Sequence, residues 1–72
     1  MRKKELPGAI RFFCSGERFW DSEPIYARFR EFSREEVNDA IEALVELGAL
    51  RATIKRRKLV DGTIRTISDI RG

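Results

Sequence analysis

With 72 residues, the chain has room for one domain and one modest core. Its 42% hydrophobic and 38% charged content describes a globular fold with a heavily charged surface, and no apolar run approaches the ~20 residues of a membrane span. Cys14 is the only cysteine and histidine is absent, which excludes an internal disulfide and a thiolate metal site and removes the commonest general base.

The net charge of +3 is unevenly spread. Residues 1–20 carry five basic against two acidic side chains, residues 21–50 three against eight, and residues 51–72 seven against two. Segregation of this kind makes local fields, and local fields select partners.

Residues 1–6 read as a basic arm that includes Lys3 and Lys4, and residues 7–72 as the folded domain. The basic start is followed by Pro7 and Gly8, and Arg11 interrupts the next apolar stretch. That makes a poor secretory signal and predicts an intracellular protein. A first helix is expected near residues 7–15, built on Ala9, Ile10, Phe12, Phe13 and Cys14 and ended by Ser15-Gly16. Arg18-Phe19-Trp20 is too short for a helix and reads as one brief strand.

A second helix is expected near residues 22–30, capped by Asp21 or Ser22, with Pro24 in its first turn and Ile25, Tyr26 and Phe29 facing inward. The third, near residues 33–48, has the clearest signature. Ser33-Arg34-Glu35-Glu36 is a capping box, and Val37, Ala40, Ile41, Leu44 and Leu47 follow helical spacing. Gly48 ends it in a left-handed conformation, and Leu50 folds back onto it. Two short helices separated by a few residues make a helix-turn-helix.

After Gly48 the pattern turns to strand. Asp61-Gly62 signals a hairpin, and Thr63 to Ile70 is rich in β-branched residues. A three-residue loop, Val60-Asp61-Gly62, is the favoured register because it places Ala52, Ile54, Ile64 and Ile70 on one face. The expected core is Ile10, Phe13, Ile25, Phe29, Val37, Ile41, Leu44, Leu47 and Ile54, with the remaining aromatic side chains filling between helices.

The stretch Ser33 to Leu50 reads S-R-x-x-V-x-x-A-I-x-x-L-x-x-x-G-x-L. It resembles the winged helix-turn-helix superfamily of bacterial and archaeal regulators, and the likeness extends over about residues 8–70. The resemblance implies an α+β fold: three helices, a brief strand after the first, and a C-terminal β-hairpin wing. It also implies double-stranded DNA as partner, with the helix that starts at Ser33 reading the major groove. Superfamily likeness does not fix function, so the site is argued from its residues.

The polar face of helix three is Glu35, Asn38, Asp39, Glu42 and Glu46, with Arg34 at one side. Four of those five are acidic, which suits a groove walled by phosphates only where specific base donors are met. Ser33, Arg34, Asn38 and Asp39 are the candidates for contacts from this helix. The hairpin makes the opposite case: Lys55, Arg56, Arg57, Lys58 and Arg65 form a cationic ribbon, and Lys3 and Lys4 extend it from the arm.

A DNA-binding function, as a small transcriptional regulator or an accessory factor, is therefore expected. The rival is a protein-interaction module in which the acidic face of helix three docks a basic partner or the wing of another copy. Catalysis is not expected, since the carboxylates of helix three lie along one exposed face with no cleft. No cofactor, metal, membrane or small-molecule ligand is implied.

Overall fold

The computed structural model describes residues 1–72. A 3-10 turn, Lys3–Glu5, leads directly into α1, Leu6–Phe13; α2 is Ser22–Arg28 and α3 is Arg34–Glu46. An antiparallel hairpin follows, of β1, Arg51–Leu59, and β2, Gly62–Arg71. The architecture is α+β, three helices and a two-stranded hairpin, a layout compatible with the one expected. No helix is long and apolar enough to cross a membrane.

Each boundary has a local cause. Pro7 sits in the first turn of α1, where its missing N–H has no partner to lose. Cys14 closes that helix, and Gly16 takes a positive φ of 103° beyond it. At α3 the capping box is complete: the Glu36 N–H donates to Ser33 Oγ at 3.1 Å, and the Ser33 N–H donates to Glu36 Oε1 at 3.0 Å. Gly48, at φ 77°, turns the chain so that the N–H of Gly48 reaches Val45 O and that of Ala49 reaches Leu44 O. This is a Schellman ending.

That ending corrects one expected core position. The turn carries Leu50 into the interior and leaves Leu47, at the helix cap, 81% exposed. The buried cluster is Leu6, Ile10, Cys14, Ile25, Phe29, Val37, Ala40, Ile41, Leu44, Leu50, Ile67 and Ile70, with Phe13 and Ile54 packed at its edge. Phe12 and Phe19 were expected to fill between helices, but both are exposed. The basic arm is also corrected. Leu6 is buried, the amino terminus lies 3.4 Å from Glu31, and residues 3–5 are already helical, so the segment lies against the domain.

The brief strand at Arg18-Phe19-Trp20 is reduced to a single antiparallel bridge, in which Trp20 and Ile70 exchange both backbone hydrogen bonds. Asp21 is the N-cap of α2 without a side-chain bond; the Ser22 hydroxyl instead donates to Ile67 O and ties α2 to β2.

The hairpin register differs from the expected one. Leu59 pairs with Gly62, so the loop is Val60-Asp61, and Arg56 stands opposite Arg65 and Ile54 opposite Ile67. Ile67 therefore enters the core, and Ile64 turns outward, half exposed. Counting apolar residues alone favoured Ile64. The side chain that sets the register is Arg65, which a one-residue slip would swing away from α3.

Candidate nucleic-acid interface

The hairpin has two faces with different electrostatic roles. Residues alternate between them along each strand, so Arg56 and Arg65 point together toward α3. Opposed like charges destabilise a strand pair, but here both guanidinium groups meet carboxylates. On α3, Glu35, Asp39 and Glu42 are spaced four and three residues apart and share one face. Arg65 Nη1 donates to Glu42 at 2.7 Å, and its Nη2 donates to Asp39 at 2.8 Å and to Glu35 at 3.2 Å. Arg56 pairs with the other oxygen of Glu42. The Arg65 side chain is 13% exposed and that of Glu42 19%, so the centre of this clasp is shielded from solvent, whereas Arg56, Asp39 and Glu35 at its edge are exposed.

The opposite face has no such neutralisation. Thr53, Lys55, Arg57 and Leu59 of β1 lie beside Ile64, Thr66 and Ser68 of β2. Arg51 pairs with Arg71 at the root of the hairpin. Arg51, Lys55, Arg57 and Arg71 make no ion pair with any carboxylate, and neither does Lys58, which lies on the inner side beyond Arg56 near the tip. The Arg71 guanidinium lies 5.2 Å from the Phe19 ring centre, and that of Arg18 lies 4.1 Å from the Trp20 ring, which adds cations at the same root. The outer face is thus a cationic ribbon interleaved with hydroxyl groups, the side chains that hold phosphate oxygens.

The expected site residues divide accordingly. Lys55, Arg57 and Lys58 are exposed and unpaired, whereas Arg56 and Arg65 are engaged with α3. Lys3 lies 3.7 Å from Glu36 at the start of α3, and Lys4 is exposed on the 3-10 turn. Asn38 was expected on the polar face but is 3% exposed, and its Oδ1 accepts from the Tyr26 hydroxyl. With its amide turned into the fold, it offers no edge to a groove. Its position beside Val37 and Ile41 on the helical wheel is nearer the apolar stripe than its polarity suggests.

Ser33 is occupied as the cap, and Arg34 stands over the Tyr26 ring with its Nη2 3.5 Å from Glu23. Asp39 is committed to Arg65. The Glu36 carboxyl is held below its ordinary range by the backbone N–H of Ser33, then by the Ser33 hydroxyl and Lys3. Burial pushes the Cys14 thiol up to about 11, so it stays protonated at neutral pH and is a poor nucleophile.

Arg51 and Arg71 were missed by the sequence reading, and a signal existed. Arg51, Lys55 and Arg57 recur at even spacing, which in a strand places them on one face. Arg71 joins them only through the strand pairing.

No family model, no curated protein and no solved structure matches this chain. The class of the protein is therefore set by its architecture: a small α+β domain whose hairpin turns one face to an acidic helix and the other, cationic, to solvent.

Proposed function

We propose that this chain is a winged-helix module that binds double-stranded DNA through the outer face of its hairpin, as an accessory factor with little base selectivity. The observation that carries this reading is the division of charge across the hairpin. On the inner face Arg56 and Arg65 neutralise the acidic face of α3, while on the outer face Arg51, Lys55, Arg57 and Arg71 remain unpaired. A folded domain gains nothing from aligning unpaired cations, and a polyanion gives them partners. The order of elements and the Trp20–Ile70 bridge, a remnant of a third strand, support the winged-helix assignment.

The reading departs from a major-groove reader in one respect. The helix that would enter the groove has its polar face under the hairpin, with Asn38 buried and Asp39 in contact with Arg65. Affinity then comes from phosphate contacts, which position a protein without specifying sequence. The rival reading, a basic partner on the acidic helix, meets the same obstacle: the contact expected between two copies is made within one chain.

The test is electrophoretic retardation of a mixed-sequence duplex over a salt series. Binding should weaken as salt rises, with a log–log slope near −0.9 per phosphate neutralised. Replacing Lys55 and Arg57 together by Ala should reduce that slope by about two units and weaken binding to all sequences alike. A slope unchanged by the double substitution would refute the proposal.

A further inference from the structure

At its root the outer face of the hairpin is bordered by an aromatic side chain that the fold does not bury. Trp20 pairs with Ile70 in the antiparallel bridge, so Phe19 stands opposite Arg71, and Arg71 in turn stands opposite Arg51. Arg51, Arg71 and Phe19 thus form a row across three strands, each about 4.8 Å from the next. Trp20 shares the side of buried Ile70 and packs on Phe13, with ring centres 4.6 Å apart. Side chains alternate along a strand, so Phe19 points the other way, to the face that carries Arg51, Lys55 and Arg57.

Phe19 is 59% exposed, and the Arg71 guanidinium lies 5.2 Å from its ring centre. That contact accounts for one face of the ring, and so large an exposure leaves the other face open. Phe12 is more exposed still, but it lies on α1 and no guanidinium stands over its ring.

The surroundings identify what covers the open face. Arg18, Arg51 and Arg71 lie about it, and Glu17, Asp21 and Asp69, the carboxylates nearest in sequence, pair with none of them. An arginine stacked on a ring keeps its N–H edge free to hold an anion. The fitting ligand is anionic and presents a flat apolar surface, and an unpaired nucleotide is both. Paired bases hide their faces in the stack and have nothing to offer Phe19, whereas a single strand exposes them, and every base has such a face. An acidic protein surface would also satisfy the cations at the root. It gives no reason for the charged stripe to continue from Arg51 to Arg57, about 20 Å of strand, with hydroxyl groups between; a phosphate backbone does.

We infer that the root of the hairpin binds the first unpaired base of a duplex that continues as a single strand. The base stacks on the open face of Phe19, Arg51 and Arg71 hold the adjoining phosphates, and the paired part lies along the ribbon against Lys55 and Arg57. This rests on the duplex-binding reading and adds to it the class of substrate, a junction between paired and unpaired DNA.

The experiment titrates the full chain, by fluorescence anisotropy, against a blunt duplex, the same duplex with a short 3′ or 5′ extension, and the single strand alone. One of the extended duplexes should bind about tenfold more tightly than the blunt one, within the range of a single base–aromatic stack. 2-Aminopurine at its first unpaired position should dim on binding. Phe19→Leu keeps the apolar bulk and loses the π face: it should remove the gain and the dimming, and leave blunt-duplex affinity and every salt slope unchanged, since no charge is lost. Phe19→Tyr and Phe12→Ala should retain both signals. Both positions are exposed, and circular dichroism should show an unaltered fold in each variant. No gain from either extension, a gain that survives Phe19→Leu, or an equal loss in Phe12→Ala would overturn the stacking site and leave the duplex reading intact. Binding of the single strand, lost in Phe19→Leu, without binding of the blunt duplex would overturn the duplex reading and keep the stack. Absence of binding to all of these ligands at low salt would overturn both.

Discussion

Leu44 is 5% exposed on the buried face of α3, one of a core only twelve side chains strong. In so small a domain there is little other apolar area to compensate for a cavity. Leu44→Ala should lower the unfolding free energy by about 2–5 kcal/mol in chemical denaturation, a large part of what a chain this size possesses. A loss under about 1 kcal/mol would mean the site collapses freely and that α3 is not held by this contact. Cys14 occupies the same core and supplies a second test. Its pKa in the fold is raised to about 11 from an ordinary 9.0, so the unfolded chain ionises first as pH rises. The contribution of Cys14 to stability is full below pH 9.0 and is lost between there and about 11. Denaturation midpoints should fall over this window, and the fall should be smaller in Cys14→Ala. Near neutral pH, a thiol reagent should label the native chain far more slowly than the denatured one.

At the scale of elements, the helices were legible because each carries its own punctuation. Ser33 with Glu36, Pro24, Gly16 and Gly48 act within a turn or two of the backbone they shape, so sequence alone locates them. Leu47 was misplaced because helical periodicity continues past the point where Gly48 turns the chain, and Leu50 then takes the buried position. The hairpin register was not legible from apolar pattern, since either choice buries some isoleucine. The deciding contact is nonlocal: Arg65 lies 23 residues from Glu42 in sequence and 2.7 Å from it in space. The same contact hid the division of the candidate site: strand alternation separates Arg56 from Lys55 and Arg57, but only the pairing with α3 decides which set faces the helix. Arg65→Met should therefore destabilise the domain by roughly 2 kcal/mol, less than the ~3–5 of a fully buried pair because Glu35 and Asp39 remain solvated. Part of that loss should be recovered when Glu42→Gln is added, since Arg56 is then the only cation left to offset that carboxylate. Additive losses in this double-mutant cycle would show that the clasp does not couple hairpin to helix.

Viewed whole, the molecule places its cations in two populations with opposite duties. Arg56 and Arg65 join hairpin to α3; Lys55 and Arg57, their immediate neighbours on the strands or across the pair, face solvent. The two populations should separate in a single pair of measurements. Lys55→Ala with Arg57→Ala removes no intramolecular partner, so the melting temperature should hold or rise slightly as repulsion along the strand is relieved. The same change should lower the salt slope of duplex binding by about two units. Arg56→Ala with Arg65→Ala should do the reverse. It leaves Glu42 without its partners and lowers the melting temperature. At a temperature where the variant is still folded, the salt slope should be nearly unchanged, because both guanidinium groups are already paired with carboxylates of α3. The acidic face of α3 would then be uncovered, and an absolute weakening of binding by repulsion should accompany that constant slope. If instead removal of Arg56 and Arg65 lowers the slope and spares stability, the clasp opens on DNA, and α3 rather than the outer face of the hairpin meets the duplex.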